Sequence, residues 1–150
     1  MWPFTCTHLV FRKKGIRVQL AIEKCNLWKS YRSPDVVNCE YAGGFLAEIM
    51  DEHEQKAVEL FLNQTDPTGE NFFWIGLSDI AHEGKFVWMT SGKPAEYTNW
   101  RSGMPDNYNK MEHFVQISNM NYQRKWNDCP NMGGIHVCTL PFRGLCQFIL

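Results

Sequence analysis

The chain has 150 residues, of which 44% are hydrophobic and 14% aromatic, enough for one sizeable core but hardly for two. Its formal net charge is −1, so it lacks the strong positive field that would collect nucleic acid or anionic lipid. We therefore interpret the short basic run at residues 12–14 as a solvated stretch rather than a nucleic-acid patch. No stretch approaches the length of a membrane span, so we expect no anchor within this chain.

Cysteine usage indicates an oxidising, extracytoplasmic compartment. None of the cysteines forms a Cys-x-x-Cys pair, and no His-x3–5-His spacing accompanies them, which argues against zinc and for disulfides. Asn63-Gln64-Thr65 is a glycosylation sequon, in keeping with a secreted glycoprotein. The apolar run at residues 9–11 is too short for a signal peptide, so we expect either a removed signal or an atypical start. The six cysteines are Cys6, Cys25, Cys39, Cys129, Cys138 and Cys146.

The first third of the chain predicts a strand, a short helix and an extended segment. Apolar and other residues alternate over residues 16–22 as in a strand, and we assign residues 1–32 to an N-terminal extension or irregular strand segment. Residues 33–150 form the main domain. Ser33-Pro34 can begin a helix and Gly43-Gly44 can end it, so a helix carrying Cys39 is expected between them, followed by an extended segment at 45–49.

The middle of the chain predicts a second helix and then strands. Asp51 and Glu54 have capping-box spacing, and apolar residues at 57, 58, 61 and 62 share one face, so a helix should cover residues 52–63. Strands are predicted at 72–77, 86–88 and 114–117, which gives an α+β domain. The segment between Trp88 and Phe114 is rich in Gly, Pro and Asn, and loops of that length in a compact domain are usually functional.

Four residues in or beside irregular segments can offer hard oxygen atoms to a cation: Asp106, Glu112, Asn127 and Asp128. Calcium takes six to eight such oxygens and tolerates irregular geometry, which loops can provide. By composition alone, solvated turn residues are the simpler interpretation.

A resemblance to a known family favours the functional interpretation. The segments that carry it occur in family order: residues 39–49 (CEYAGGFLAEI), 74–79 (WIGLSD), 83–88 (EGKFVW), 99–100 (NW) and 126–128 (WND). From about Cys39 to the C-terminus the chain resembles C-type lectin domains, and most of all invertebrate members. The resemblance implies the C-type lectin fold, with two helices packed on short antiparallel sheets and a long ligand-binding loop. The large apolar residues of these segments are expected to form core, namely Trp74, Ile75, Leu77, Phe86, Trp88, Trp100 and Trp126.

The family places a tripeptide with a central cis proline in this loop: Glu-Pro-Asn in mannose-type members and Gln-Pro-Asp in galactose-type ones. This chain has Met104-Pro105-Asp106 at that place. The resemblance therefore implies calcium-dependent binding of galactose-like glycans, with a role in recognition or innate immunity and with metal ligands Asp106, Glu112, Asn127 and Asp128. The expected sugar site adds Met104 and Tyr108 to those four. Tyr108 can stack on a sugar ring, or it can be an ordinary surface tyrosine.

Two departures from the family pattern affect these expectations. Met104 offers a soft thioether where the family has a hard oxygen, so we expect weakened calcium binding. The usual cysteine of Glu-x-Cys-Val is Phe114 here, so the family partner of Cys129 is missing. The resemblance implies Cys39–Cys146, and it leaves Cys129 to pair with Cys138 and Cys6 with Cys25.

A second function is left open by Met104 and the altered cysteines: a calcium-independent C-type-lectin-like domain that binds a protein ligand. An enzyme is the third possibility, with Glu112, His113 and Asp128 as its best acid–base set. No nucleophile motif accompanies that set, so we expect a binding domain and no catalysis.

Overall fold

The computed structural model describes residues 9–24, 39–40, 42–130 and 143–150. Strands β1 (Leu9–Lys13) and β2 (Ile16–Lys24) form a hairpin. Its two-residue turn places Lys14 and Gly15 at positive φ, the backbone conformation that tight hairpins of this type need. The strand predicted over residues 16–22 is confirmed. The proposed boundary between residues 32 and 33 lies outside the described residues.

The other described elements are strands, one complete α-helix and two short 3-10 turns. The helix α1 (Glu52–Thr65) follows β3 (Phe45–Leu46). The later strands are β4 (Phe73–Ser78), β5 (Val87–Trp88), β6 (Phe114–Ile117), β7 (Trp126–Cys129) and β8 (Arg143–Ile149). Cys39 and Glu40 are helical, and the rest of the first predicted helix lies outside the described residues. Among the described residues, no helix is long and apolar enough to cross a bilayer.

The eight strands form one sheet, in which the order is β1-β2-β8-β4-β6-β7, with β3 on β8 and β5 on β4. The pairings are antiparallel except for β4 with β8, where Trp74 pairs with Gly144 in parallel. The α+β class is therefore confirmed, and the sheet is mixed rather than wholly antiparallel. The β6–β7 pair matters for function because it aligns Val115 with Asp128 and brings the end of the long loop beside β7.

The helix α1 begins as its sequence predicts. The Asp51 side chain accepts a hydrogen bond from the Glu54 N–H at 2.8 Å, and Glu54 Oε2 accepts from the Met50 N–H at 2.7 Å. Val58, Phe61 and Leu62 are buried on the face that packs into the core. The apolar side of the predicted helix thus becomes its buried side.

Lys13 corrects one prediction from the sequence. Its ammonium lies 3.0 Å from Glu54 Oε2 and donates to the Glu48 carbonyl at 2.7 Å. Its side chain is only 15% exposed, so this lysine joins β1 to the start of α1 instead of standing in solvent. The interpretation of residues 12–14 as a solvated stretch is therefore wrong for Lys13. The first turn of α1 supplies the carboxylate, which the local sequence around Lys13 does not show.

Trp126 is fully buried at the centre of the core. Trp88, Tyr97 and Trp100 meet it edge-on, with ring centroids 5.8–5.9 Å apart, an arrangement that aromatic quadrupoles favour. Its indole N–H donates to Gln55 Oε1 of α1 at 3.0 Å, so the one polar atom of this ring is satisfied. Helix, sheet and loop therefore meet at Trp126. Of the predicted core residues, Phe86 and Trp100 are only partly buried and the other five are buried.

A disulfide joins Cys39 to Cys146, as the resemblance implied. It ties the helical segment at Cys39 to β8, over a sequence separation of 107 residues. Cys129 is also disulfide-bonded. Its predicted partner Cys138 lies outside the described residues, and so do Cys6 and Cys25.

Candidate functional site

The long loop at residues 89–113 is attached to β7 by its backbone. The Trp126 N–H donates to the Asn99 carbonyl at 2.7 Å, and the Arg101 N–H donates to the Trp126 carbonyl at 2.9 Å. Trp100 and Trp126 form a parallel bridge between them. The loop therefore runs beside the strand that carries Asn127 and Asp128.

Asp128 holds the next part of this loop. Its Oδ1 accepts from the Asp106 N–H at 3.2 Å, and its Oδ2 accepts from the Asn107 N–H at 2.8 Å. The Met104–Pro105 peptide that precedes them is cis, as the resemblance implied. Asp128 itself is fully buried. One strand carboxylate thus fixes two successive residues of the loop.

Asn107 and Glu112 close the end of the loop on itself. Asn107 has a left-handed backbone with φ 45°, and its Oδ1 accepts from the Glu112 N–H at 3.1 Å. Glu112 Oε2 in turn accepts from the Tyr108 N–H at 3.0 Å. Between them, residues Tyr108–Lys110 form a 3-10 turn. These bonds hold the Glu112 carboxylate at the base of the loop.

Three carboxylates converge as a result. Asp106, Glu112 and Asp128 each offer one oxygen, and these three atoms all lie within 4.8 Å of one another. Asp106 is exposed, whereas Glu112 and Asp128 are buried. The cluster therefore has one open side and two buried members.

The cluster favours a positive ion. Burial raises the pKa of Glu112 to about 7, helped by its side-chain hydrogen bond with Asp106 and by the charges of Asp128 and Asp106, while the Tyr108 N–H opposes the shift. Burial also raises the pKa of Asp128, against the lowering effect of the N–H groups of Asn107 and Asp106. Each shift records that negative charge costs free energy at this place. A cation between the carboxylates would remove that cost.

Calcium suits this donor set. Oxygens bound to one calcium ion lie about 2.3–2.6 Å from it, so two of them can be at most about 5 Å apart, and the three carboxylate oxygens meet that limit. All three are hard donors, which calcium prefers over sulfur or nitrogen. Met104 is half-buried, and its thioether adds no hard oxygen to the set.

Asn127 has different side-chain partners. Its Oδ1 accepts from Arg101 Nη2 at 3.2 Å, and its Nδ2 donates to Cys129 Sγ at 3.3 Å. The Asn127 side chain is nearly fully buried beside Asp128. Of the four predicted metal ligands, the three carboxylates lie close together. The fourth, Asn127, accepts a hydrogen bond from the Arg101 guanidinium.

A second cluster of titratable side chains includes His113, the last residue of the loop. Its other members are Asp79 and Glu83. His113 Nδ1 is 3.0 Å from Asp79 Oδ1 and 3.5 Å from Glu83 Oε2. Asp79 is buried and also accepts from the Gly84 N–H at 2.8 Å. The His113 ring therefore engages residues outside the acid–base set considered from the sequence.

Comparison with known proteins decides the family. Residues 35–148 match the family model described as the Lectin C-type domain. The chain belongs to the C-type lectin domain family. It is 34% identical over 140 residues to salivary C-type lectin 1 of Aedes albopictus, covering 85% of this chain and 87% of that protein. It is 37% identical over 114 residues to C-type lectin 16 of Aedes aegypti, covering 73% and 70%. Human lithostathine has the same fold, with a TM-score of 0.70 at 20% identity over 95% of this chain and 97% of that one.

Two residues of this C-type lectin domain took no part in the sequence prediction of the site. Asn107 was recognisable in principle, because an asparagine in a Pro-Asp-Asn run is typical of a turn with positive φ. Arg101 gave no such signal, since its contact with Asn127 joins positions 26 residues apart. Tyr108, which was predicted, is 46% exposed beside the carboxylates through its N–H bond to Glu112.

Proposed function

We propose that this domain binds carbohydrate in a calcium-dependent manner, outside the cell, and prefers galactose-like sugars. The convergence of Asp106, Glu112 and Asp128 carries this proposal, because ionised carboxylates whose oxygens lie within 4.8 Å of one another repel, and a bound cation would stabilise all three. Membership of the C-type lectin family supports carbohydrate as the ligand. The Cys39–Cys146 disulfide, and mosquito relatives that are named salivary, support an extracellular location.

Asp106, Glu112, Asn127 and Asp128 would hold the ion. When bound, calcium would offer its remaining coordination positions to two neighbouring sugar hydroxyls. The carboxylates can accept hydrogen bonds from these hydroxyls, and the Asn127 amide can donate one. The bonds from Asp128 to the N–H groups of Asp106 and Asn107 keep the loop in place for this contact.

The galactose preference rests on two residues. Asp106 stands where the galactose-type tripeptide Gln-Pro-Asp has its aspartate. Tyr108 follows it, and its half-exposed ring can stack on the apolar face of a galactose-like sugar. Mannose-type members instead end the tripeptide in asparagine.

Calcium dependence is tested by thermal unfolding in about 10 mM calcium and in chelator. With a dissociation constant of about 1 mM, typical of weak extracellular sites, calcium should raise the Tm by about 3–6 °C. Met104→Gln supplies the missing oxygen and should enlarge the rise. Met89→Gln is its matched control, because it makes the same substitution at a methionine that directly follows the short strand β5. An absence of any calcium effect on wild type and on Met104→Gln would refute the proposal.

Sugar preference is tested by calorimetric titration with galactose, N-acetylgalactosamine and mannose in calcium. Galactose-type sugars should bind more tightly than mannose, and chelator should abolish binding. Tyr108→Ala should weaken sugar binding and leave calcium binding intact, whereas Tyr108→Phe, which keeps the ring, should bind sugar normally. Equal binding by the alanine variant would remove Tyr108 from the site.

The thioether of Met104 favours a second candidate function, a calcium-independent domain that binds a protein ligand. In that case neither calcium nor Met104→Gln would change the Tm, and a protein partner would be retained in chelator. The two functions therefore give opposite results in the same unfolding experiment.

A further inference from the structure

Arg101 contacts Asn127, one of the residues expected to bind the ion. The Arg101 N–H donates to the carbonyl of Trp126, the residue of β7 that precedes Asn127. Arg101 therefore lies beside the start of β7. From there its guanidinium reaches the buried amide of Asn127, with Nη2 3.2 Å from Oδ1. A guanidinium thus donates to an oxygen that belongs to the expected ligand set.

The orientation of the Asn127 amide agrees with this contact. Its Nδ2 donates to Cys129 Sγ at 3.3 Å, so its oxygen points the other way, toward Arg101. A flipped amide would place NH2 hydrogens against guanidinium hydrogens, and both groups are donors. In the contact between these two residues, Arg101 is therefore the donor and the Asn127 oxygen the acceptor.

Tyr122 holds the guanidinium from another side. The Arg101 Cζ lies 4.4 Å from the centroid of the Tyr122 ring, within the range of a cation–π contact. Tyr122 ends the 3-10 turn at Met120–Tyr122, which precedes β7. The guanidinium therefore has two contacts, a hydrogen bond to the Asn127 oxygen and a cation–π contact with the Tyr122 ring, and both place it against Asn127.

We infer that Arg101 competes with calcium for Asn127 Oδ1 and so sets the calcium affinity of the site. This inference rests on the proposed function and extends it from the acids to a residue that opposes them. Two effects act together: Asn127 must give up its bond to Arg101, or share it, and a divalent ion must approach a fixed positive charge.

The test is a calorimetric calcium titration of the full chain and two variants. Arg101→Gln removes the charge and keeps a side-chain donor, and its dissociation constant should fall about 3- to 10-fold below that of wild type. Lys125→Gln is the matched control, because Lys125 carries the same charge and lies two positions before Asn127, but its Nζ contacts Asn99 Oδ1 at 3.4 Å instead of Asn127. It should bind calcium within about twofold of wild type. Unfolding in chelator should show that both variants fold.

The outcomes separate this inference from the proposed function. Calcium binding by wild type with no gain in Arg101→Gln would overturn the role of Arg101 alone. Equal gains in Arg101→Gln and Lys125→Gln would also overturn it, because the effect would then come from net charge. Binding only by Arg101→Gln would support the inference and contradict the proposed function of the natural chain. Failure of all three proteins to bind would overturn both.

Discussion

The backbone N–H of Asn107 donates to Oδ2 of Asp128 at 2.8 Å, so a carboxylate on strand β7 holds the loop. The other oxygen of that carboxylate accepts from the Asp106 N–H. The Asp128 carboxylate therefore has two roles. It holds the loop by hydrogen bonds, and it is one of the three carboxylates of the candidate ion site.

Asp128→Asn should weaken both the attachment of the loop and the binding of the ion. An amide has one acceptor oxygen, so one loop N–H loses its partner, and the ion loses a charged ligand. We expect the calcium dissociation constant to rise by about 10- to 100-fold or more and hydrogen exchange at Asn107 to accelerate. Glu96→Gln, at an exposed acid outside the carboxylate group, is the charge-matched control and should change neither. Unaltered calcium binding in Asp128→Asn would exclude Asp128 as a ligand.

Glu112 predicts an unusual dependence of stability on pH in chelator. Its pKa is about 7 in the folded chain and near 4.5 when exposed, so the folded state holds the proton more tightly. Between these values the folded state binds more protons, and the free energy of unfolding therefore falls as pH rises from about 4.5 to about 7. Without calcium, Glu112→Gln should thus be more stable than wild type above pH 7, on the order of 1–3 kcal/mol.

The measurement is the difference in unfolding free energy between Glu112→Gln and wild type across this pH range. The difference should vanish near pH 4.5 and reach its maximum above pH 7. In saturating calcium at neutral pH its sign should reverse, because wild type then has the ligand that the variant lacks. A difference that does not vary with pH would contradict the raised pKa.

The buried ion pair of Arg124 and Asp66 should be essential for stability. Arg124 Nη2 lies 2.8 Å from Asp66 Oδ2, and both side chains are almost fully buried. Burial would raise the pKa of Asp66, but hydrogen bonds from Asn71 and Arg124 hold it below its usual value. Arg124→Gln leaves that buried charge without its partner and should cost about 3–5 kcal/mol in urea unfolding.

Lys56→Gln is the control for this pair. It removes an ion pair with Glu52 in which both side chains are about 70% exposed, and the loss should be below about 1 kcal/mol. Equal effects of the two substitutions would show that burial of the Arg124–Asp66 pair contributes nothing.

The Cys39–Cys146 disulfide closes nearly the whole described domain. Replacing both cysteines with serine avoids a free thiol, and loop entropy predicts a loss of about 4–5 kcal/mol for a loop of this length. Equilibrium unfolding of the double variant against wild type measures it, with the remaining cysteines oxidised in both. A loss below about 1 kcal/mol would mean that residual structure in the unfolded chain already keeps these two positions close together.

Local sequence determined the elements well. The helix predicted at 52–63 is Glu52–Thr65, and the strand predicted at 114–117 is Phe114–Ile117, because capping residues and apolar periodicity act within a few positions. The ordered motifs also identified the family and the Cys39–Cys146 pair. For the site, they indicated which acids to consider, and the structure brings Asp106, Glu112 and Asp128 within reach of one ion.

Tertiary structure alone decided which polar side chains meet. Lys13 pairs with Glu54, Arg124 with Asp66 and Arg101 with Asn127, at sequence separations that no local pattern records. These contacts depend on how strands align across the sheet and on where the long loop crosses β7, which long-range packing sets. The sequence therefore predicted the fold and the acidic residues of the candidate site. Only the folded chain showed that the Arg101 guanidinium donates to the Asn127 side-chain oxygen.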